Sequence, residues 1–383
     1  MRRTRGRVVD IDSLDDLDRR LATGARTLSG WRLRSLDLTG RGRQLRGVDV
    51  SGALFLGCTL ALDDEVSVRA RGAVVFPVIP DVPIDTFRTT LYTPDELYSA
   101  AKPAAAEPAA AEPAAAKPAG PASYTHSLDA RAYAWSREQS SRDAALAQAL
   151  HDHSLGLALA DWIAHRRLVG VMGGHDIPRG RPEYADGVLL GQRLSQSLTV
   201  ATGGGPGAME AVNLGGYLAR KGDDARHRAL EVLSAVPDFT PSIGEWARAA
   251  FAVRALFPDG GESLGIPTWH YGHEPPNPFA SAIAKYFRNA QREAILLEVC
   301  QAGIIFLPGA GGTVQEIFQD ACENYYADES SVAPMILVGK RYWTQEHPAW
   351  PLLTSLAAGR PMEQHVHLVE TVQEAADLVL SGG

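Results

Sequence analysis

Little in this sequence points to a membrane, a disulfide framework or nucleic acid. No run of about 18 apolar residues occurs, so no membrane span is expected. MRRTRGRVVDIDS carries charge with no apolar stretch after it, and nothing there resembles a signal peptide. Three cysteines, Cys58, Cys300 and Cys322, are an odd number without metal-ligand spacing. They predict a reducing, cytoplasmic compartment and no metal site. Cys300 and Cys322 read as buried small apolar residues. Positive charge is not in excess: the formal net charge is −8, which argues against a dedicated nucleic-acid binder. Residues 1–50 do hold 12 arginines against 7 aspartates, and read as a solvated basic edge. No Lys-Ser or Lys-Thr follows a glycine run, and no acid closes a following strand at the ribose distance. Nucleoside triphosphate hydrolysis and hydride transfer are therefore disfavoured.

What is present divides the chain. In AKPAAAEPAAAEPAAAKPAGPA, prolines recur at Pro103, Pro108, Pro113 and Pro118 and interrupt any helix. This predicts an Ala/Pro linker at 99–123, semi-rigid and extended. A small β-rich domain is expected at 1–98 and a catalytic domain at 124–383. Within the first, Leu45, Val50, Phe55 and Leu60 keep a five-residue beat, with Val48, Ala53 and Cys58 two residues earlier. The beat resembles pentapeptide-repeat proteins, whose chains coil into a square β-helix. Apolar strands in a small α/β unit are the alternative. Either way the segment reads as a support or assembly module.

After the linker, 129–167 has helical, alanine- and leucine-rich periodicity. Then LVGVMGG, LTVATGGGPG, SLGIPTWHYG, GIIFLPG, PMILVG and HVHLVE read as strands. YADGVLLGQRLSQS, AMEAVNLGGYLARKG and SAIAKYFRNAQREAILLEVCQA read as helices between them. The alternation predicts an α/β, doubly wound (Rossmann-like) parallel sheet with helices on both faces. Ligands in such sheets bind at the carboxyl ends of strands. Three glycine turns stand there: Gly173-Gly174-His175, Gly203 to Gly207, and Gly309-Ala310-Gly311-Gly312-Thr313. In the third, Gly309, Gly311, Gly312 and Thr313 expose backbone N–H groups at a helix start, a cradle for phosphate. Glu316 projects a carboxylate from the first turn. An anion cradle with an acid beside it suggests chemistry on a phosphorylated small molecule.

GGGPGAMEA, EPPNPF, the arginine of FRNAQREAIL and PGAGGTVQE together resemble the LONELY GUY-type (LOG) phosphoribohydrolases, whose mark is a PGGxGTxxE turn with an upstream arginine. The GGH turn, GPGAMEA and EPPNP look closer to the bacterial nucleotide 5′-monophosphate nucleosidase branch. The likeness spans 168–338. It implies hydrolysis of the N-glycosidic bond of a nucleoside 5′-monophosphate, giving free base and ribose 5-phosphate. It also implies a homodimer or larger homo-oligomer, with no cofactor. Carried over residue by residue, it makes Glu316 and Arg292 catalytic. Gly309, Gly311, Gly312 and Thr313 would bind phosphate, with Gly205 and Gly207 on the facing turn. Gly174, His175, Glu210, Glu274 and Asn277 would line the substrate pocket. A non-catalytic nucleotide sensor or carrier on the same scaffold is the alternative.

The chain departs from the family pattern twice. Ala310 stands where the pattern has glycine, which requires a negative φ. Arg292 lies one residue further from Pro308 than in the pattern, so either Arg292 or Arg288 faces the site. Several residues keep two readings. Glu210 serves the substrate or merely the helix dipole. His175 touches substrate or packs at a strand end. Trp269, Tyr271 and Phe287 stack on a base or fill the core. His270, His273 and Glu274 lack helical metal-ligand spacing and read as a pocket loop rather than a zinc site. Relatives are often labelled lysine decarboxylases, but Lys221, Lys285 and Lys340 lie in none of the glycine turns, so a pyridoxal enzyme is not supported.

Overall fold

A computed structural model describes residues 8–100, 121–138, 142–271 and 274–381. The alanine–proline tract expected to be extended falls outside those residues from 101 to 120. By its internal contacts the chain forms two compact units. One takes Met1–Thr90 and Arg137–Leu159; the other takes Leu91–Ser136 and Ala160–Gly383.

The first unit alternates β1 (Val9–Ile11), α1 (Leu14–Ala22), β2 (Trp31–Arg34), α2 (Gly42–Arg46), β3 (Leu54–Leu56), α3 (Leu62–Ala70) and β4 (Val74–Phe76). Its four strands pair in parallel in that order. Val9 lies opposite Trp31, Arg32 opposite Leu54, and Leu54 opposite Val74, so one coil takes about 20 to 22 residues. The five-residue beat is present inside each coil. Leu28, Leu33 and Leu38, then Val50 and Phe55, enter one core, as do Trp31, Leu36, Ala53 and Cys58. Of the two readings left open, the small α/β unit is the one formed. A helix closes each coil where further pentapeptide sides would stand, so the unit is α/β rather than β-rich. The sequence of α1 explains this: Ser13 caps it through Asp16 N–H, and acids fill its first turn. Gly30, Gly52 and Gly72 recur at one corner with φ between +75° and +88°, a conformation that excludes a Cβ.

Beyond residue 90 come α4 (Pro94–Leu97), α5 (Leu128–Glu138) and α6 (Arg142–Ile163). There follow β5 (Leu168–Met172), α7 (Pro182–Leu194), β6 (Thr199–Thr202), α8 (Ala208–Tyr217), α9 (Asp223–Ser234), α10 (Ile243–Leu256), β7 (Ser263–Gly265), β8 (Ala282–Ile283), α11 (Asn289–Glu298), β9 (Ile304–Phe306), α12 (Gly311–Tyr326), β10 (Met335–Val338), α13 (Ala349–Ala357), β11 (Val366–Val369) and α14 (Val372–Leu380). The sheet is wholly parallel, in the order β11-β10-β9-β5-β6-β7-β8. Its strands are mostly apolar because helices flank the sheet; Val169, Val200, Ile305 and Ile336 share a core with α7, α8 and α14. The chain lays strands outward from β5 to β8, then returns to the other side of β5 with β9. That reversal makes the β5/β9 crevice the topological switch point.

The helix expected over Ser281 to Ala302 is shorter. Ala282–Ile283 pairs with β7 as an edge strand, and the helix begins at Asn289. Lys285 lies in the break, buried and ion-paired with Asp129 at 2.6 Å. Burial pulls the Lys285 pKa below its usual value, and the Asp129 charge opposes this. Cys300 is buried as expected, but Cys322 is exposed, being on the outer side of α12. Among the described residues no helix is long and apolar enough to cross a membrane.

Candidate active site

Strands β9, β5 and β6 are neighbours, so their three glycine turns stand side by side at the carboxyl edge. Backbone bonds lace them. Gly174 N–H donates to Pro308 O at 3.1 Å, and Ala208 N–H to Gly174 O at 3.0 Å. Between them opens a cavity of about 440 Å3. Gly174, His175, Gly205, Glu274, Arg292, Gly311, Gly312, Thr313 and Glu316 line it. The sequence had named all nine.

The α12 N-terminus forms one wall. Ala310 has φ −91°, so its methyl is accommodated without strain. Val314 N–H closes the first helical bond on Ala310 O at 3.0 Å. The N–H groups of Gly311, Gly312 and Thr313 precede it, where a helix supplies no acceptor of its own. Around Gly311 and Gly312 no atom would meet an added Cβ within 4 Å, so that backbone is open. Here the macrodipole and the amide donors favour an anion.

Glu316 sits one turn further in, its side chain 14% exposed. Burial pushes its carboxyl up to about 7, against the pull of Arg292; the charge of Glu293 adds to the rise. Arg292 Nη1 stands 3.8 Å from Glu316 Oε1. Its Nε donates to Ile266 O at 2.6 Å and its Nη2 to Gly203 O at 3.4 Å. The arginine is thereby held across the β6 and β7 ends. Arg288 is exposed at the cap of α11 and does not line the cavity. Asp176, Glu274, Glu293 and Glu316 put four carboxyl groups around the space against one guanidinium. Such a lining favours a reacting centre that becomes positive and confines an anion to the α12 end.

Four expected site residues are not against this cavity. Glu210 is fully buried and pairs with Arg179, whose Nε donates to it at 2.9 Å. Asn277 is buried as well. Its amide donates to Gly205 O at 3.1 Å and Asn213 Oδ1 at 2.9 Å, and its oxygen accepts from Phe279 and Ala280 N–H. It shapes the second turn from behind. Gly207, at φ +67°, lies where a Cβ would meet the Gly174 and His175 carbonyls, so its role is close backbone approach. Gly309 packs on Thr313 and the Gly174 nitrogen. Gly309 and Asn277 face into the packed turns, whereas Gly207 and Glu210 border a separate, smaller pocket beside the cavity.

Met172, Asp176, Met209, Pro267, Thr268 and Glu293 also line the cavity. Sequence reading passed over them; Asp176 beside the GGH turn and Glu293 beside Arg292 carried the only signal. Glu293 accepts from Asn289 at 2.6 Å and from Gln315 at 2.8 Å, tying α11 to α12. Tyr271 is at the rim, 48% exposed. Trp269 and Phe287 stack on each other at 4.4 Å, and the indole N–H donates to Asp129. They are core residues. Among the described residues no group of three or more metal-ligating side chains occurs; His273 lies outside them.

One turn beyond Glu316, Asp320 is buried, and its Oδ2 has no hydrogen-bond partner among the described residues. Burial, then Glu323, raises it to about 8. The folded chain therefore keeps this proton between its ordinary 3.8 and about 8, where the unfolded chain has lost it. Stability falls as pH rises through that window. Asp320→Asn is expected to leave the melting temperature unchanged near pH 4 and raise it by several °C near pH 8. Equal shifts at both pH values in calorimetry would mean that no proton is retained.

No family model matches the chain, and no curated protein matches it. Among solved structures it is similar to the molybdenum cofactor binding protein from the phototrophic bacterium Rippkaea orientalis, at 15% identity over 57% of this chain and 97% of that one, with a TM-score of 0.35. It is likewise similar to the molybdenum cofactor carrier protein from Chlamydomonas reinhardtii, at 17% identity over 57% of this chain and 98% of that one, with a TM-score of 0.35. At that level of likeness neither carries an argument about activity. The α/β fold rests on the strand order and connections of the chain itself.

Proposed function

We propose that this chain hydrolyses the N-glycosidic bond of a nucleoside 5′-monophosphate, releasing the base and ribose 5-phosphate. One observation carries the reading: the largely buried carboxyl of Glu316, beside Arg292, stands one turn inside a helix N-terminus whose glycine backbone is open. A 5′-phosphate on Gly311, Gly312 and Thr313 would place the sugar over Glu316. Binding energy at the phosphate then orients the reacting carbon. Breaking the bond builds oxocarbenium charge on the ribose, as in other glycoside hydrolyses. The ionised Glu316 stabilises that charge and takes a proton from the attacking water. A base that titrates near neutral pH suits this task. Arg292 keeps Glu316 directed into the cavity and meets the sugar or phosphate from the opposite side.

On this reading the protein is a cytoplasmic enzyme acting on free nucleotides as a homodimer or larger assembly, without cofactor or metal. The coiled N-terminal unit serves assembly. Incubation with AMP, GMP, CMP, UMP and IMP, with products separated by chromatography, should show base and ribose 5-phosphate from at least one of them. Tight binding of a nucleotide with no product from any would replace this reading by that of a carrier.

A further inference from the structure

We propose that His175 is the acid that protonates the departing base, with Glu274 holding the imidazolium in place. The inference rests on the N-glycosidase reading and supplies what that reading leaves open. Glu316 serves the ribose side of the bond. The base side needs a proton donor, because a purine or pyrimidine anion is a poor leaving group at neutral pH.

Among cavity-lining side chains, the imidazole is the one that can keep one ring nitrogen on a carboxylate and present a ring N–H to the substrate with the other. Glu293 is occupied on both oxygens and belongs to the α11–α12 wall, beside Glu316. His175 comes from the turn after β5, on another wall. Its Nδ1 lies 3.5 Å from Glu274 Oε1, which leaves Nε2 as the proton-donating edge.

Position points the same way. Beside the main cavity is a side pocket of about 180 Å3. His175 and Asp176 are the residues that line both spaces. Phe239, Trp246, Pro206 and Pro237 give the side pocket flat apolar walls, suited to a heterocycle. With phosphate at α12 and sugar over Glu316, a base reaching this pocket passes His175. The charges facing the imidazole are Glu274 and Asp176, with Asp238 and the Arg179–Glu210 pair around the side pocket.

In the step proposed, the C1′–N bond breaks and its electron pair goes to the base. The imidazolium proton moves to a ring nitrogen of that base. Water bonds to C1′ and its proton goes to Glu316. Afterwards Glu316 releases one proton to solvent and His175 takes one up, so the net reaction consumes one water.

The test compares two leaving groups. One is the best natural nucleotide; the other is 4-nitrophenyl ribofuranoside 5-phosphate, whose phenolate departs without a proton. His175→Gln should lower kcat on the nucleotide by roughly 100- to 1,000-fold, yet keep nitrophenyl cleavage within about threefold of wild type. Its pH profile should lose the alkaline limb. Equal loss on both substrates, or an intact alkaline limb in His175→Gln, overturns the assignment. Wild type that cleaves neither substrate instead refutes the underlying glycosidase reading. Retained nitrophenyl cleavage also shows that the variant is folded.

Discussion

Glu316→Gln is expected to lower kcat at least about a thousandfold while nucleotide affinity stays within about threefold. Glutamine keeps the shape of the side chain and removes both its charge and its basicity. The phosphate contacts at Gly311 to Thr313 remain, so binding should survive. In wild type the carboxyl must be ionised to accept the water proton, and burial pushes it up to about 7. Turnover should therefore climb with pH up to about 7, and the variant's residual rate should lack that climb. Stability should move the other way. The folded protein holds the Glu316 proton between 4.5 and about 7, where the unfolded chain has lost it. Wild type thus loses stability as pH rises through that interval, and the variant does not. A variant that melts higher than wild type at pH 8 and turns over no substrate has lost chemistry, not fold. Retention of more than about a tenth of the wild-type rate would place the base elsewhere.

The site was legible where its signals are local. A buried strand, a glycine turn and a helix start occupy about fifteen consecutive residues each, and the position of Glu316 in the first turn of α12 follows from counting. Ala310 posed a question that only a backbone angle answers, and its φ is negative. The choice between Arg292 and Arg288 depends on where α11 begins. That in turn depends on Ala282–Ile283 pairing with β7, a two-residue strand inside a run that reads equally well as helix. In the N-terminal unit the five-residue beat marks real core positions. The longer period, in which Thr27 bridges Asp49 and Asp37 bridges Thr59, sets the architecture and admits a helix into each coil. Asn277 and Glu210 show a different limit. Each follows or faces a glycine turn, where pocket residues are found, yet neither lines the main cavity, because each is held by buried partners. No local pattern announces a partner 31 residues distant, as Arg179 is from Glu210.

That pair yields the largest expected effect on stability. Both side chains are about 1% exposed. Arg179 Nε donates to Glu210 Oε2 at 2.9 Å, Nη2 donates to Oε1, and Nη1 donates to Trp246 O at 3.0 Å. The guanidinium also lies 4.5 Å from the centre of the Trp246 ring. Each charge is thus tolerated in the core only because the other is there. Glu210→Ala leaves a buried guanidinium without its carboxylate and is expected to lower stability by about 3–5 kcal/mol. For a unit of this size that is a fall in melting temperature of roughly 10 °C. Arg179→Met should be similarly damaging, since it strands the carboxylate. Arg179→Met combined with Glu210→Leu removes both charges and should recover most of the loss, because apolar residues can replace a buried pair without penalty. The double-mutant cycle separates two roles for Glu210. A structural acid gives strong, non-additive stability changes. A substrate-binding acid would give a raised KM with the melting temperature unchanged, and that outcome would make Glu210 a substrate contact in the side pocket that it borders.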